Sequence, residues 1–157
     1  MSDKKPDWLK KKVKLNNQKF NEVTSLITNL HLNTVCQSAQ CPNIYECFSN
    51  KTATFMILGD ICTRNCGFCS IKTGKPGEPD ENEPLRIARA VSEMGLKYVV
   101  ITSATRDDLT DGGSNQFIKT VREIHKKNPD VKIECLIPDF KENLDSLKIY
   151  FQRILLY

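Results

Sequence analysis

Two groups of cysteines are the residues of this sequence whose type and spacing could carry chemistry. Six of the seven cysteines fall into two trios, the upstream one with C-x4-C-x5-C spacing and the downstream one with C-x3-C-x2-C spacing. The upstream trio is Cys36, Cys41 and Cys47, and the downstream trio is Cys62, Cys66 and Cys69. Thiolates hold iron–sulfur clusters, and a cubane cluster has four irons that need ligands. Three cysteines leave one iron free to bind a substrate or cofactor, so the spacing predicts a reactive cluster.

Zinc sites and disulfides are the alternative interpretations of these cysteines. A structural zinc ion takes four ligands, and neither trio has an obvious fourth, although His31 could complete the upstream one. Disulfides are disfavoured because the number of cysteines is odd and no secretory signal precedes them. The spacing therefore favours iron–sulfur chemistry, and a zinc-stabilised interaction module stays open as a weaker hypothesis.

The residues around both trios resemble a known enzyme family. The downstream trio, with Phe68 before its last cysteine, is similar to the signature of radical S-adenosylmethionine enzymes. The upstream trio narrows this likeness, as do the segments Ala-Thr-Phe-Met-Ile-Leu-Gly at 53–59 and Arg-Asp-Asp-Leu-Thr-Asp-Gly-Gly at 106–113. Together they resemble the lipoyl synthase family over about residues 6–148.

The resemblance implies a reaction and a set of cofactors. Cys62, Cys66 and Cys69 would hold a [4Fe–4S] cluster that chelates S-adenosylmethionine and cleaves it to a 5′-deoxyadenosyl radical. The upstream trio would hold an auxiliary [4Fe–4S] cluster, which is the sulfur donor. In the family, two sulfurs enter at C6 and C8 of an octanoyl group on a lysine of a lipoyl-accepting protein. An electron donor such as ferredoxin or flavodoxin would be the second partner.

Three further residues are candidate contacts of S-adenosylmethionine by the same resemblance. Phe68 would pack near the adenine, and Thr102 with Ser103 would contact the methionyl end. The alternatives are loop packing for Phe68 and strand-end capping for the two hydroxyls. The Arg-Asp-Asp run at 106–108 either shapes the cofactor mouth or forms a self-satisfied ion-pair loop. No residue is predicted to act as a catalytic acid or base, because the cofactor carries the hard step.

Composition and charge restrict the other function classes. The chain has 157 residues, 27% of them charged and 39% hydrophobic, which suits one compact domain. The longest apolar runs are too short to span a membrane, and the lysine-rich start lacks an apolar signal region. We therefore expect a cytoplasmic protein with no membrane partner. The net charge of +4 lies partly in this start, which we interpret as an extended arm over residues 1–15 and not as a nucleic-acid site.

The apolar periodicity predicts strands that alternate with helices. Helices are expected at about 17–30, at 84–94 between Pro84 and Gly95, and at 114–127 with Ser114 as N-cap. Strands are expected at 52–58, 97–102 and 131–137, where Cys135 would be a buried packing thiol. A last amphipathic helix is expected from residue 144, and residues 36–47 should be loop and irregular turns.

These elements predict an α/β fold with parallel strands. The resemblance makes it a partial radical-SAM (β/α) barrel of about three βα units, with a helix and cysteine-loop extension before it. The expected domains are 1–51, the extension with the auxiliary cluster, and 52–157, the first half of the barrel. The downstream trio then follows the carboxyl end of the first strand, where parallel α/β proteins build active sites.

The end of the sequence departs from the family pattern. Barrels of this type run to about 250 residues, and the family's Arg-Ser-Ser-Tyr motif, whose serine binds the auxiliary cluster, does not occur here. Residues 149–157 also differ from what the resemblance predicts. We therefore expect a truncated or frame-disrupted product. The alternative function is that of an inactive or electron-carrying iron–sulfur protein.

Overall fold

The computed structural model describes Pro6 and residues 17–154. The predicted arm over residues 1–15 lies, apart from Pro6, outside the described residues. A four-stranded sheet is the centre of the fold, in the order β1-β2-β5-β6. Its strands are β1 (Asn33–Thr34), β2 (Thr54–Ile57), β5 (Tyr98–Ser103) and β6 (Lys132–Leu136). The three longer strands are parallel, while β1 pairs antiparallel with β2, so the prediction of a parallel α/β fold is confirmed.

The helices follow the apolar periodicity of the sequence. The structure has α1 (Gln18–Asn29), α2 (Val35–Ser38), α3 (Ile44–Ser49), α4 (Glu83–Met94), α5 (Ser114–Lys127) and α6 (Leu144–Ile154). Helix α4 has Pro84 in its first turn and ends at Gly95, whose left-handed backbone (φ 64°) lets its N–H return to the last turn. A 3-10 turn, Phe140–Glu142, precedes α6.

The core lies between the sheet and the helices that pack on it. Helix α4 packs along α5, and α5 along α6. In β5 the alternation of side chains buries Val99 and Ile101 and leaves Tyr98 half-exposed. In β6 the partly buried Ile133 and Cys135 pack against the same core, which confirms Cys135 as a packing thiol. Within residues 17–154, none of the helices has the combination of length and hydrophobicity that a membrane-spanning helix needs.

Two short helices flank the turn that carries Cys41, so the prediction of loop and irregular turns over residues 36–47 is confirmed for residues 39–43 and wrong for the rest. Helix α2 begins because the Thr34 side chain accepts a hydrogen bond from the N–H of Gln37. Helix α3 packs on the core through Phe48, which is fully buried. Short helices of four and six residues have too few turns for the periodicity of the sequence to reveal them.

The N-cap of α5 also differs from the prediction. Ser114 is the first residue of the helix and is buried, while Gly113, with φ 91°, occupies the cap position. Asp111 takes the capping role, because its carboxylate accepts hydrogen bonds from the N–H groups of Gly113 and Asn115, both at 3.0 Å. A second, two-stranded parallel sheet, β3 (Ile61–Cys62) with β4 (Lys72–Thr73), was also not predicted.

Candidate iron–sulfur site

The turn after β2 delivers the downstream trio. Leu58 and Gly59 have left-handed backbones, with φ 68° and 89°. Such a conformation is uncommon for leucine, and here its backbone is held on both sides. The N–H of Leu58 donates to Oε2 of Glu83 at 3.0 Å, and its carbonyl accepts from Nη1 of Arg106 at 3.2 Å. The chain therefore leaves the sheet in a fixed direction towards Cys62.

The cysteines of the downstream trio lie on one short segment. Cys62 ends β3 and is half-buried, whereas Cys66 and Cys69 are exposed. The N–H of Cys69 donates to the carbonyl of Cys66 at 3.0 Å, which closes a turn between them. The N–H of Arg64 donates to Sγ of Cys62 at 3.4 Å. A backbone donor to sulfur is an interaction that tunes iron–sulfur clusters.

Thr63 joins this segment to the loop that follows β5. Its N–H and its hydroxyl both donate to the carbonyl of Thr105 at 3.0 Å. Its hydroxyl oxygen also accepts from the N–H of Asp107 at 3.1 Å. The cysteine motif is thus attached to the carboxyl end of the neighbouring parallel strand.

Arg64 joins the same segment to two carboxylates. Its Nε and Nη2 donate to Asp107 at 2.7 and 2.8 Å, and its Nη1 and Nη2 donate to Asp139 at 2.7 and 2.8 Å. The guanidinium lowers the pKa of Asp107 below its usual range and that of Asp139 to about 2. Because Asp107 follows β5 and Asp139 follows β6, one arginine spans two strand ends.

Arg106 is a second, buried arginine at the edge of the site. Only 2% of it is exposed, and its Nη2 donates to the carbonyl of Gly77 at 2.8 Å. It also pairs with Asp108 at 2.8 Å and lowers the pKa of that carboxyl. The predicted ion-pair loop is therefore present for Arg106 and Asp108, whereas Asp107 pairs outside the loop, with Arg64.

The three candidate cofactor contacts have different surroundings. The hydroxyl of Thr102 donates to the carbonyl of Leu136 at 2.8 Å. The Ser103 hydroxyl is buried and has no hydrogen-bond partner among the described residues, so its hydrogen-bonding capacity is unused there. Phe68 is 93% exposed, so its ring does not pack on its own loop and is open to a partner molecule.

The upstream trio lies on α2, α3 and the turn between them. Cys36 is in α2 and Cys47 in α3, while Cys41 lies between the helices, where its N–H donates a 3.0 Å hydrogen bond to the carbonyl of Cys36. Burial first, and then the charges of Cys36 and Cys41, raise the pKa of the Cys47 thiol. The Cys47 thiol therefore lies within electrostatic range of Cys36 and of Cys41.

The downstream trio and the start of the upstream trio lie next to the same strand, β2. Helix α2 packs against β1 and β2, and the downstream motif follows the end of β2 directly. His31, the residue suggested as a fourth zinc ligand, lines a cavity of about 200 Å³ with Gly59 and Asp60, and that cavity has no cysteine in its lining.

The donor chemistry of the trios fits iron–sulfur clusters. All seven cysteines, which fall within residues 17–154, are free thiols. Across this described range, no three His, Cys, Asp or Glu side chains converge to hold a metal ion. Thiolates are the ligands of iron–sulfur clusters, and three of them leave one iron of a cubane cluster open. The donor type and number in each trio therefore fit such a cluster.

Arg64 and Asp139 are the site residues that the sequence did not reveal. Arg64 lies inside the cysteine motif, and Asp139 follows the third parallel strand. A signal was available, because the carboxyl ends of parallel strands meet at one edge of a sheet. Acids that follow two strands there can reach a cation that follows a third.

Comparisons with known proteins bear on this site. The family described as the radical SAM superfamily matches residues 56–155. A lipoyl synthase of Caldicellulosiruptor saccharolyticus is 58% identical over 150 residues, which are 96% of this chain and 52% of that protein. The lipoyl synthase of Caldicellulosiruptor bescii is 58% identical over 92% of this chain and 49% of its own length. The lipoyl synthase of Shewanella denitrificans is 51% identical over 91% of this chain and 44% of its own length. The chain thus spans about half the length of the curated relatives it matches.

Proposed function

This chain belongs to the radical SAM superfamily, and we propose that it is the part of a lipoyl synthase that carries both cysteine trios. The reaction would be the insertion of two sulfurs at C6 and C8 of a protein-bound octanoyl group. One observation supports the proposal above the others: the downstream trio follows the end of the parallel strand β2, and the upstream trio begins on α2, which packs against the same strand. The identity to lipoyl synthases extends over both trios.

We further propose how the chain is divided. Residues 1–51 would be an extension that holds the auxiliary cluster, and residues 52–157 would be part of a (β/α) barrel. The three parallel strands in the order β2-β5-β6 support this division, since consecutive strands of such a barrel are neighbours. The active site would then lie at their carboxyl ends.

The thiols of Cys62, Cys66 and Cys69 would hold one [4Fe–4S] cluster, and those of Cys36, Cys41 and Cys47 would hold a second. With S-adenosylmethionine bound, these groups supply a carbon-centred radical and the sulfur atoms. The protein's own residues bind and orient. Ser103 would donate its buried hydroxyl to the methionyl end of the cofactor, because the hydroxyl of Thr102 is already bonded to Leu136.

The proposed partners follow from the same reaction. The substrate would be the octanoylated domain of a lipoyl-accepting protein, and reduced ferredoxin or flavodoxin would supply electrons. A cytoplasmic location is proposed with them, since reduced thiols persist there.

Iron and sulfide analysis after anaerobic reconstitution tests the proposal. About eight irons per chain are expected if two cubane clusters form. A triple serine variant of either trio should retain about four. Cys135→Ser is the matched control and should load as the unchanged chain does, because Cys135 packs in the core.

Three outcomes would count against the proposal. Bound zinc without acid-labile sulfide would favour the interaction module. About four irons in the unchanged chain would leave one trio without a cluster. If two clusters form but the reduced protein yields no 5′-deoxyadenosine from S-adenosylmethionine, the chain is an iron–sulfur protein without this catalysis.

A further inference from the structure

We infer that Arg64 is a positioning residue that holds the cysteine loop in its ligating arrangement before any cluster is bound. Here the cysteine loop means residues 59–74, from the turn after β2 to the end of β4. The inference rests on the proposed function, because it assigns the ligands of that cluster to this loop. It adds that the ends of β5 and β6 fix the loop, and that the metal does not have to order it.

The guanidinium of Arg64 is bound by two carboxylates at once. Four of its hydrogen bonds, all at 2.7–2.8 Å, reach the two carboxylates of Asp107 and Asp139. A planar guanidinium that binds two carboxylates with two hydrogen bonds each has its orientation fixed by both. Lysine, a point charge on a flexible stem, cannot form this double fork.

Arg64 lies between Cys62 and Cys66 in the chain. Its backbone N–H donates to Sγ of Cys62 at 3.4 Å, and its carbonyl accepts from the hydroxyl of Thr73 at 3.1 Å. The side chain is thus bound to the body of the protein, while the backbone of the same residue is bound to the first cysteine and to β4. Movement of the guanidinium would move both.

Asp107 and Asp139 are themselves held by further hydrogen bonds. The N–H of Asp107 donates to the hydroxyl of Thr63 at 3.1 Å, and Oδ1 of Asp139 accepts from the N–H of Lys141 at 3.0 Å. Among residues 17–154, the hydrogen bonds that join residues 60–70 to the chain outside the cysteine loop are those of Thr63 and Arg64. If the hydrogen bonds from the Arg64 guanidinium to Asp107 and Asp139 are removed, only those of Thr63 still join this segment to the rest of the described chain.

The three side chains of this ion-pair network are partly exposed to water. The side chains of Arg64, Asp107 and Asp139 are 32%, 22% and 54% exposed. Ion pairs this exposed contribute little to global stability because water screens them. The effect of the fork is therefore expected in the local opening of the loop and in the cluster that it holds.

The test measures amide hydrogen exchange of the cysteine loop in the metal-free full chain, and a spectroscopic signal in the chain reconstituted with iron. In the reduced, metal-free protein, amide hydrogen exchange across residues 61–74 should be faster by roughly fivefold in Arg64→Gln, the factor that the loss of partly exposed ion pairs implies. Asp107→Asn and Asp139→Asn should each give a smaller increase. Arg64→Lys should exchange as fast as Arg64→Gln. Lysine keeps the positive charge but cannot make the paired hydrogen bonds to both carboxylates. Arg89→Gln, which removes an exposed pair with Glu93 on α4, should leave exchange unchanged.

A spectroscopic measurement on the reconstituted protein completes the test. The electron paramagnetic resonance signal of the reduced cluster, and its change on adding S-adenosylmethionine, should differ between Arg64→Gln and the unchanged chain. The inference is overturned if Arg64→Gln exchanges at the unchanged rate, or if Arg64→Lys restores it. If the unchanged chain binds no iron, the proposed function fails, while the exchange measurement still decides the role of Arg64.

Discussion

Nη1 of Arg106 donates a 3.2 Å hydrogen bond to the carbonyl oxygen of Leu58, the residue at which the chain turns from β2 towards the cysteine motif. The same guanidinium binds the carbonyl of Gly77 and the carboxylate of Asp108. Arg106 therefore joins three segments that meet at the carboxyl end of the sheet. Because Leu58 is also buried, its carbonyl would lose this hydrogen bond without access to water.

We expect Arg106→Lys to destabilise the fold by about 2 kcal/mol, because lysine cannot reach both carbonyls and the carboxylate at once. Urea unfolding of the metal-free chain measures the change. Arg89→Lys is the matched control, since that arginine lies exposed on α4, and its effect should stay within about 0.5 kcal/mol. Equal effects of the two substitutions would show that the buried hydrogen bonds of Arg106 do not matter.

Gly113 provides a test of how closely α5 approaches the turn after β2. A Cβ atom on Gly113 would overlap Cδ1 of the buried Leu58, and the backbone there has φ 91°. We expect Gly113→Ala to cost about 2–4 kcal/mol, from strain at a positive φ and from overpacking.

Gly95→Ala separates these two causes. Gly95 also has a positive φ, of 64°, but no atom from another part of the described chain lies within 4 Å of the position that a Cβ would take. Alanine there should cost only about 1 kcal/mol. If thermal or urea unfolding gave the same loss for both variants, Leu58 would have room to move and the close contact would carry no energy.

The structure also shows why the strands and longer helices could be predicted and parts of the site could not. Val99 and Ile101 alternate with less buried neighbours, and the α4 stripe through Ile87 and Val91 repeats with helical spacing, so local periodicity revealed both. The cysteine spacing likewise revealed the two trios. These signals lie within single segments of the chain.

The pairing of Arg64 with Asp107 and Asp139 spans 43 and 75 residues. No local pattern records such a pairing, because it depends on which strand ends become neighbours in the sheet. The capping of α5 by Asp111 was missed for a different reason. Both Asp111 and Ser114 are good cap residues, and the left-handed backbone of Gly113 decided between them.

Glu83 should make the stability of the fold depend on pH. The carboxyl is 4% exposed, and burial raises its pKa above the usual 4.5, although it accepts hydrogen bonds from Leu58 and Gln116. Since the unfolded chain ionises first as pH rises, this group stabilises the fold below about pH 4.5 and loses that contribution as pH rises through the native pKa.

Urea unfolding as a function of pH measures this dependence in Glu83→Gln and the unchanged chain. The unfolding free energy of the unchanged chain should fall relative to that of Glu83→Gln as pH rises from 4.5. Glutamine keeps an acceptor for the N–H of Leu58 and does not titrate. Glu93→Gln, which changes an exposed carboxylate on the same helix, is the control and should show no such difference. A constant gap between Glu83→Gln and the unchanged chain at all pH values would contradict the assignment.

Phe68 separates cofactor binding from folding. Its ring is 93% exposed, so Phe68→Ala should change the unfolding free energy of the metal-free chain by less than about 0.5 kcal/mol. If the ring packs on the adenine of S-adenosylmethionine, the same substitution should weaken cofactor binding about tenfold, since stacking an aromatic contributes about 1–1.5 kcal/mol. Equilibrium dialysis with the reconstituted protein measures this affinity. Phe151→Ala, on α6 and also exposed, is the matched control and should bind the cofactor as the unchanged chain does. Unaltered affinity in Phe68→Ala would leave the exposed ring without a role in the cofactor site.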